Sequence, residues 1–221
     1  ARGGAGGLGN CHWKTSTHQA PREFTRGAPG EARRIRLDLK LVADVGLVGL
    51  PNAGKSSLLA ALTPARPKIA AYPFTTLNPV LGTLPHELAA PGLKLVDIPG
   101  LLPGAHAGVG LGYVFLRHVE RTRALLYVLD MAAEDGRPPA ESYAALREEL
   151  GRYNPDLLCR PALIAGNKMD LEPAAANLAD FQAATRLEVI PVSARAGTGL
   201  EALKAALRAL LEGHEGKPNR E

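Results

Sequence analysis

From about Leu41 to Gly213 the chain alternates between short apolar runs and longer stretches where apolar residues recur every three or four positions. The short runs predict buried strands: the run entering Gly49, then Leu93–Ile98, Leu125–Asp130, the run from Ala162 to Asn167, and Leu187–Val192. The longer period predicts helices with one inward stripe. One helix runs to about Leu62, and a second covers Tyr113–Arg121 with Phe115, Leu116 and Val119 inward. Pro138–Tyr153 follows, with Tyr143, Leu146 and Leu150 inward, and Leu200–Leu211 closes the series on Leu200, Leu203, Leu207 and Leu210. Val80–Pro85 is expected to pair with Leu93–Ile98 as an antiparallel hairpin. Such alternation predicts an α/β fold, a mostly parallel sheet with helices on both faces.

Three stretches do not fit either period. Residues 1–40 are rich in Gly, Pro and Thr and read as a glycine-rich irregular or β segment, within which Ile35–Leu39 alternates like a strand. Pro64–Pro79 is long and proline-rich for a connection inside a compact domain. Leu101–Gly112 holds Gly104, Gly108, Gly110 and Gly112 directly after Gly100. So many glycines suit a segment that refolds rather than a packed helix. We therefore divide the chain into 1–40, a domain over 41–213, and a polar tail over 214–221.

The first apolar run enters Gly49-Leu50-Pro51-Asn52-Ala53-Gly54-Lys55-Ser56, with Ser57 next, which matches the phosphate loop GxxxxGKS between a strand and a helix. Glycines at both ends let the backbone fold into a nest of N–H groups, and the following helix N-terminus points at the same anion. Lys55 can reach the β and γ oxygens, and the Ser56 hydroxyl can ligate Mg²⁺. The pattern implies a nucleoside triphosphate. The base is read downstream, at Asn167-Lys168-Met169-Asp170. An aspartate there can accept from N1–H and the 2-amino group of guanine. Adenine lacks both donors and would leave the carboxylate unpaired. The Lys168 stem can lie along the base, the Asn167 amide can brace loops, and the Ala194 N–H of Ser193-Ala194-Arg195 can donate to guanine O6.

Asp97 ends a strand in the DxxG pattern with Ile98, Pro99 and Gly100; the aspartate can hold Mg²⁺ through water and the Gly100 N–H can sense the γ-phosphate. Phe74, Thr75 and Thr76 lie between this motif and the phosphate loop. Thr76, or else Thr75, is expected to complete the Mg²⁺ shell beside Ser56 and Asp97. We expect Lys55, Asn52 and Thr76 to serve the phosphoryl-transfer step. Asn52 is a candidate anchor for K⁺ beside the phosphates, the alternative being a simple cap of the loop. His106 and Arg66 are weaker candidates for a supplementary cation, against a plain loop role.

The stretches GLPNAGKSSLL, YPFTTLNPVLG, DIPGLLPGAHAGVGLGYVFLRHVERTRALLYVLD, NKMD and SAR resemble the Obg family of translation-factor-related GTPases. Upstream, Gln19–Arg22 and the glycine-rich stretch ending at Glu31 resemble the end of that family's N-terminal domain. The resemblance implies a P-loop GTPase domain with slow Mg²⁺-dependent hydrolysis of GTP. It also implies a nucleotide-controlled role in assembly of the large ribosomal subunit, in contact with rRNA. An alternative is a ribosome- or RNA-binding module that senses GTP and GDP without significant turnover. Two positions depart from the family, Ala71 replacing a usual acidic residue and Tyr113 a frequent polar one; Leu101 keeps the family's apolar residue where many GTPases place a water-positioning glutamine. Starting without Met and lacking the rest of the glycine-rich domain and any C-terminal domain, the chain reads as a fragment.

Composition adds charge to this picture. Of 221 residues, 46% are hydrophobic and 22% charged, within the range of soluble globular proteins, and no apolar run approaches a membrane span. The net charge of +4 is concentrated in residues 1–40, where eight basic residues face three acidic ones. That excess suits an RNA surface, or else a solvated arm, and the family resemblance favours rRNA. Cys11 and Cys159 lack metal-ligand spacing and fit a reducing compartment; His12 beside Cys11 is too few ligands for a metal. We expect a cytoplasmic monomer.

Overall fold

The computed structural model describes residues 1–35, 43–64, 68–69, 80–85, 92–97 and 119–213. The chain divides into two compact units, Ala1–Leu39 and Lys40–Glu221. In the second, seven strands form one sheet in the order β2-β3-β4-β1-β5-β6-β7. They are β1 (Ala43–Val48), β2 (Lys68–Ile69), β3 (Val80–Leu84), β4 (Leu93–Asp97), β5 (Thr122–Asp130), β6 (Ala162–Asn167) and β7 (Ile190–Pro191). β3 pairs antiparallel with β4 and with β2, while β1 runs parallel to β4 and β5, and β6 parallel to β5 and β7. The α-helices among the described residues are α1 (Lys55–Leu62), α2 (Pro139–Tyr153), α3 (Ala174–Thr185) and α4 (Leu200–Glu212).

Strict alternation along apolar strands explains the two layers. Leu125, Tyr127 and Leu129 of β5 join a core with Leu146 and Leu150 of α2 and Phe181 of α3. Ala124, Leu126 and Val128 join the opposite core with Leu58, Leu59 and Leu62 of α1 and Leu203, Leu207 and Leu211 of α4. On the first face Tyr127, Tyr143 and Phe181 stack edge to face, with centroids 5.2 and 5.8 Å apart. The Arg147 guanidinium lies 5.9 Å from the centre of the Tyr143 ring. Burial, and the neighbouring Tyr143, push the Tyr127 hydroxyl up to about 12.

Several sequence expectations need amendment. The strand expected at Leu187–Val192 is paired only at Ile190–Pro191. α3 was not anticipated: only Ala174 and Phe181 of its twelve residues are buried, too few for a periodic stripe. In α4 the fully inward positions are Leu203, Leu207 and Leu211, while Leu200 and Leu210 are half-buried at its margin. Of the helix expected at Tyr113–Arg121, only Val119–Arg121 lies among the described residues, with Val119 buried.

The first unit holds a short 3₁₀ turn at Asn10–Trp13 and a backbone pairing with a step of three. Thr25 N–H donates to Leu8 C=O, Ala28 to Ala5 and Glu31 to Arg2, at 3.0, 2.9 and 2.8 Å. Three-residue repetition is the period of polyproline II, which makes no internal hydrogen bonds and needs a neighbour to satisfy its backbone. A Cβ on Gly4 or Gly7 would stand 1.8 Å from the carbonyl oxygen of Ala28 or Thr25. Glycine is required there for chains to approach this closely.

Gly82 of β3 lets α1 settle onto the sheet: a Cβ there would meet Thr63 Cγ2 at 2.6 Å and Leu59 Cδ1 at 2.8 Å. Gly82→Ala should therefore destabilise the domain by about 1–3 kcal/mol, an overpacking cost read as a lowered thermal midpoint. Adding Thr63→Ser, which removes one of the two opposing methyls, should recover part of the loss. An unchanged midpoint in Gly82→Ala would show that α1 does not pack this tightly.

Candidate functional site

At the carboxyl edge of the parallel strands, the polypeptide between β1 and α1 folds into a compact loop. Asn52 and Gly54 adopt the left-handed conformation, φ 61° and 87°. Gly49 is needed for a second reason, since a Cβ there would lie 2.6 Å from the carbonyl oxygen of Val128 on β5. α1 begins at Lys55 with no side-chain cap, so its first N–H groups remain available to an anion. Ala53 is buried, while Pro51, Asn52, Ser56 and Ser57 are exposed.

Lys55 is buried, and its ammonium donates to the carbonyls of Gly49 (3.1 Å) and Leu50 (3.0 Å). Burial lowers its pKa, opposed by the nearby Asp97 charge. The Ser56 hydroxyl donates to Asp97 Oδ2. Asp97 is only 4% exposed, and its Oδ1 has no hydrogen-bond partner among the described residues. A buried carboxylate oxygen left open beside a serine hydroxyl fits a divalent cation that takes its other ligands from phosphate and water. Among the described residues there is no cluster of three or more His, Cys, Asp or Glu that could hold a metal.

The residues expected to read the base assemble across β6. Asn167 is 2% exposed; its Nδ2 donates to the Ala53 carbonyl at 3.0 Å and its Oδ1 accepts from the Ala194 N–H at 3.1 Å. Gly54 makes room for this amide, because a Cβ there would sit 2.3 Å from Asn167 Nδ2. The bracing role expected of Asn167 is thus visible. The Ala194 amide, expected to face guanine O6, is engaged by Asn167. Asp170 is exposed and its Oδ1 accepts from the buried Ser193 hydroxyl at 2.6 Å. That bond, with the charges of Arg195 and Lys168 adding to it, holds Asp170 below the usual carboxylate range. A cavity of about 220 Å³ opens between Gly54, Ser57, Lys168, Asp170, Ala194 and Arg195. Met169 is half-buried and packs on the core, its N–H bonded to the Val192 carbonyl at 3.2 Å.

Two residues absent from the sequence reading complete the region. The Lys168 ammonium bonds Asp130 Oδ2 at 2.7 Å and also Glu134. Asp130 ends β5 in register with Asn167, the end of β6. The signal was present: a carboxylate closing an apolar strand beside another motif-bearing strand end, where α/β sheets place their ligands. Phe74, Thr75, Thr76, Ile98, Pro99 and Gly100 lie outside the described residues, as do Arg66, Ala71, Leu101, His106 and Tyr113.

Residues 44–168 match the family described as 50S ribosome-binding GTPase, and residues 1–41 match GTP1/OBG. A protein named GTPase Obg from Roseiflexus castenholzii is 52% identical over 206 residues, 92% of this chain and 46% of that one. GTPase Obg of Opitutus terrae is 51% identical over 93% of this chain and 61% of its own length. The chain thus spans roughly half to three-fifths of these relatives. The G domain of the T. maritima FeoB iron transporter shares the fold, with a TM-score of 0.58 at 23% identity over 76% of this chain and 98% of that one. No helix among the described residues is long and apolar enough to cross a membrane. The chain belongs to the 50S ribosome-binding GTPase family and, within it, to the Obg group.

Proposed function

We propose that this chain binds GTP and GDP, hydrolyses GTP slowly with Mg²⁺, and acts as a nucleotide-controlled switch in assembly of the large ribosomal subunit. The observation that carries the reading is the Asn167 bridge, which sets the phosphate loop and the guanine-reading residues around one cavity. Lys55 exchanges its two carbonyl partners for phosphate oxygens, and the uncapped amides of α1 bind the same charge. Ser56 and Asp97, with Thr76, would hold Mg²⁺, which when bound neutralises charge on the β and γ phosphates. Ser193 fixes one oxygen of Asp170 so that the carboxylate faces guanine N1–H and the 2-amino group. Met169 packs inward and leaves recognition to its neighbours.

Leu101 leaves the DxxG motif without an adjacent glutamine, which supports slow turnover. Asn52, held at a left-handed turn at the exposed tip of the loop, would recruit K⁺ as a supplementary positive charge. The basic segment 1–40 supplies the contact with rRNA, and the setting is the cytoplasm, with the chain acting as a monomer. The description of the family that residues 44–168 match, 50S ribosome-binding GTPase, supports the ribosomal partner.

Asp170→Asn should weaken GDP binding by about 2–5 kcal/mol, because a charged pair of hydrogen bonds is lost. It should also improve binding of xanthosine diphosphate, whose 2-oxo group suits an amide donor. Titration calorimetry with both nucleotides checks this, and an unchanged GDP affinity would remove the base assignment. Hydrolysis of GTP in KCl should exceed that in NaCl at matched ionic strength, and Asn52→Ala should abolish the difference. Equal, very slow rates in both salts would instead favour a nucleotide-sensing module whose catalytic group comes from its partner.

A further inference from the structure

Lys168 has a backbone that needs holding and a side chain that is held. Its φ of 67° places a residue with a Cβ in the left-handed region, which costs about 1–2 kcal/mol and persists only where surrounding contacts fix it. Backbone bonds hold the turn, the Leu171 N–H donating to the Lys168 carbonyl at 3.1 Å, and the ammonium is bonded to Asp130, at 2.7 Å, and to Glu134. The two carboxylates differ. Asp130 and Lys168 side chains are 15% and 17% exposed, so their bond is shielded, whereas Glu134 is 60% exposed and its bond is screened by solvent. Burial alone would lower the Lys168 pKa; the hydrogen bonds to Asp130 and Glu134 outweigh it and raise the pKa, keeping the ammonium charged.

Asp130 is itself fixed by its own turn. Its Oδ1 accepts from the Ala132 N–H at 2.9 Å and its Oδ2 from the Glu134 N–H at 3.3 Å. The turn is tied to β6 by the Met131 N–H, which donates to the Asn167 carbonyl at 3.0 Å, and to α3 by Asn177, whose amide donates to the Met131 carbonyl at 2.7 Å. Lys168, with Glu134, lines two cavities. One is the base cavity of about 220 Å³; the other, of about 250 Å³, lies against Leu50–Ala53 and the end of β5. With the ammonium anchored on the β5 turn, the four-carbon stem belongs to a residue that borders both cavities.

We propose that Asp130 is a positioning residue for nucleotide binding: it anchors the Lys168 ammonium so that the stem stays in place as the apolar surface on which the base stacks, with Glu134 as a weaker outer clasp. This rests on the reading that the cavity beside Asp170 receives a guanine base. The loss of a charged anchor should therefore weaken binding of any purine the cavity accepts, without changing which purine is preferred.

The test uses the full chain and a double-mutant cycle read by the dissociation constant for GDP. Asp130→Asn keeps an oxygen that can accept from the Ala132 amide and removes the charge that holds Lys168. It should raise the GDP dissociation constant about tenfold, as expected for a shielded charged hydrogen bond, while Glu134→Gln should raise it about twofold or less. Lys168→Met keeps the length of the stem and removes its charge. In that background Asp130→Asn should add nothing further, since its only route to the nucleotide is gone. Asp130→Asn should also leave the ratio of GDP to xanthosine diphosphate affinity unchanged, in contrast to Asp170→Asn, which shifts it. Penalties that multiply in the double variant, or an unchanged GDP affinity in Asp130→Asn alone, would overturn the positioning role. Failure of the unaltered chain to bind GDP would overturn the guanine reading first and the positioning role with it.

Discussion

The side chain of Asn167 ties together loops that leave strands not adjacent to one another. β1 and β6 both flank β5, so their ends stand roughly 10 Å apart, twice the spacing of paired strands. A phosphate loop leaving β1 can meet a base-reading loop leaving β6 only by leaning across the end of β5. Gly49 permits the lean, since its missing Cβ leaves the Val128 carbonyl room, and Gly54 lets the Asn167 amide reach Ala53. The same amide then holds Ala194 on the far side. An uncompensated amide in so buried a place would cost about 1–3 kcal/mol, so each bond also enforces the other. The loop expected to hold phosphate and the loops expected to read the base consequently share one buried side chain.

The two lysines of the site are held in ways that match different tasks. Lys55 rests on two neutral carbonyls, and a phosphate can replace those bonds with stronger, charge-assisted ones. Lys168 rests on carboxylates, and nothing on a nucleotide base can compete with them. On the proposed reading one ammonium can turn to the ligand, and the other serves as a fixture. Asp97 completes the contrast: its buried Oδ1 has no hydrogen-bond partner among the described residues, which suits a cation.

The local motifs were legible because their chemistry is confined to a few consecutive residues. GxxxxGKS, NKMD and SAR each sit where the sequence places them, and the apolar runs before them are the strands that carry them. Features built from distant residues were not legible. Asp130 and Lys168 are 38 positions apart, and only the parallel register of β5 and β6 brings them together. α3 escaped notice because alanines and two buried side chains leave no stripe to detect. The pairing within residues 1–31 escaped for another reason: a step of three is neither the helix nor the strand period. The antiparallel β3–β4 pair was recoverable because both runs are apolar and close in sequence.

Amide hydrogen exchange on the Asn167→Ala chain, set against the unaltered chain, would show directly whether one side chain holds both loops. If it does, amides over 50–58 and over 193–196 should exchange faster together, by about tenfold or more, while β5 and α2 stay protected. Faster exchange confined to 193–196, with the phosphate loop unaffected, would contradict the coupling.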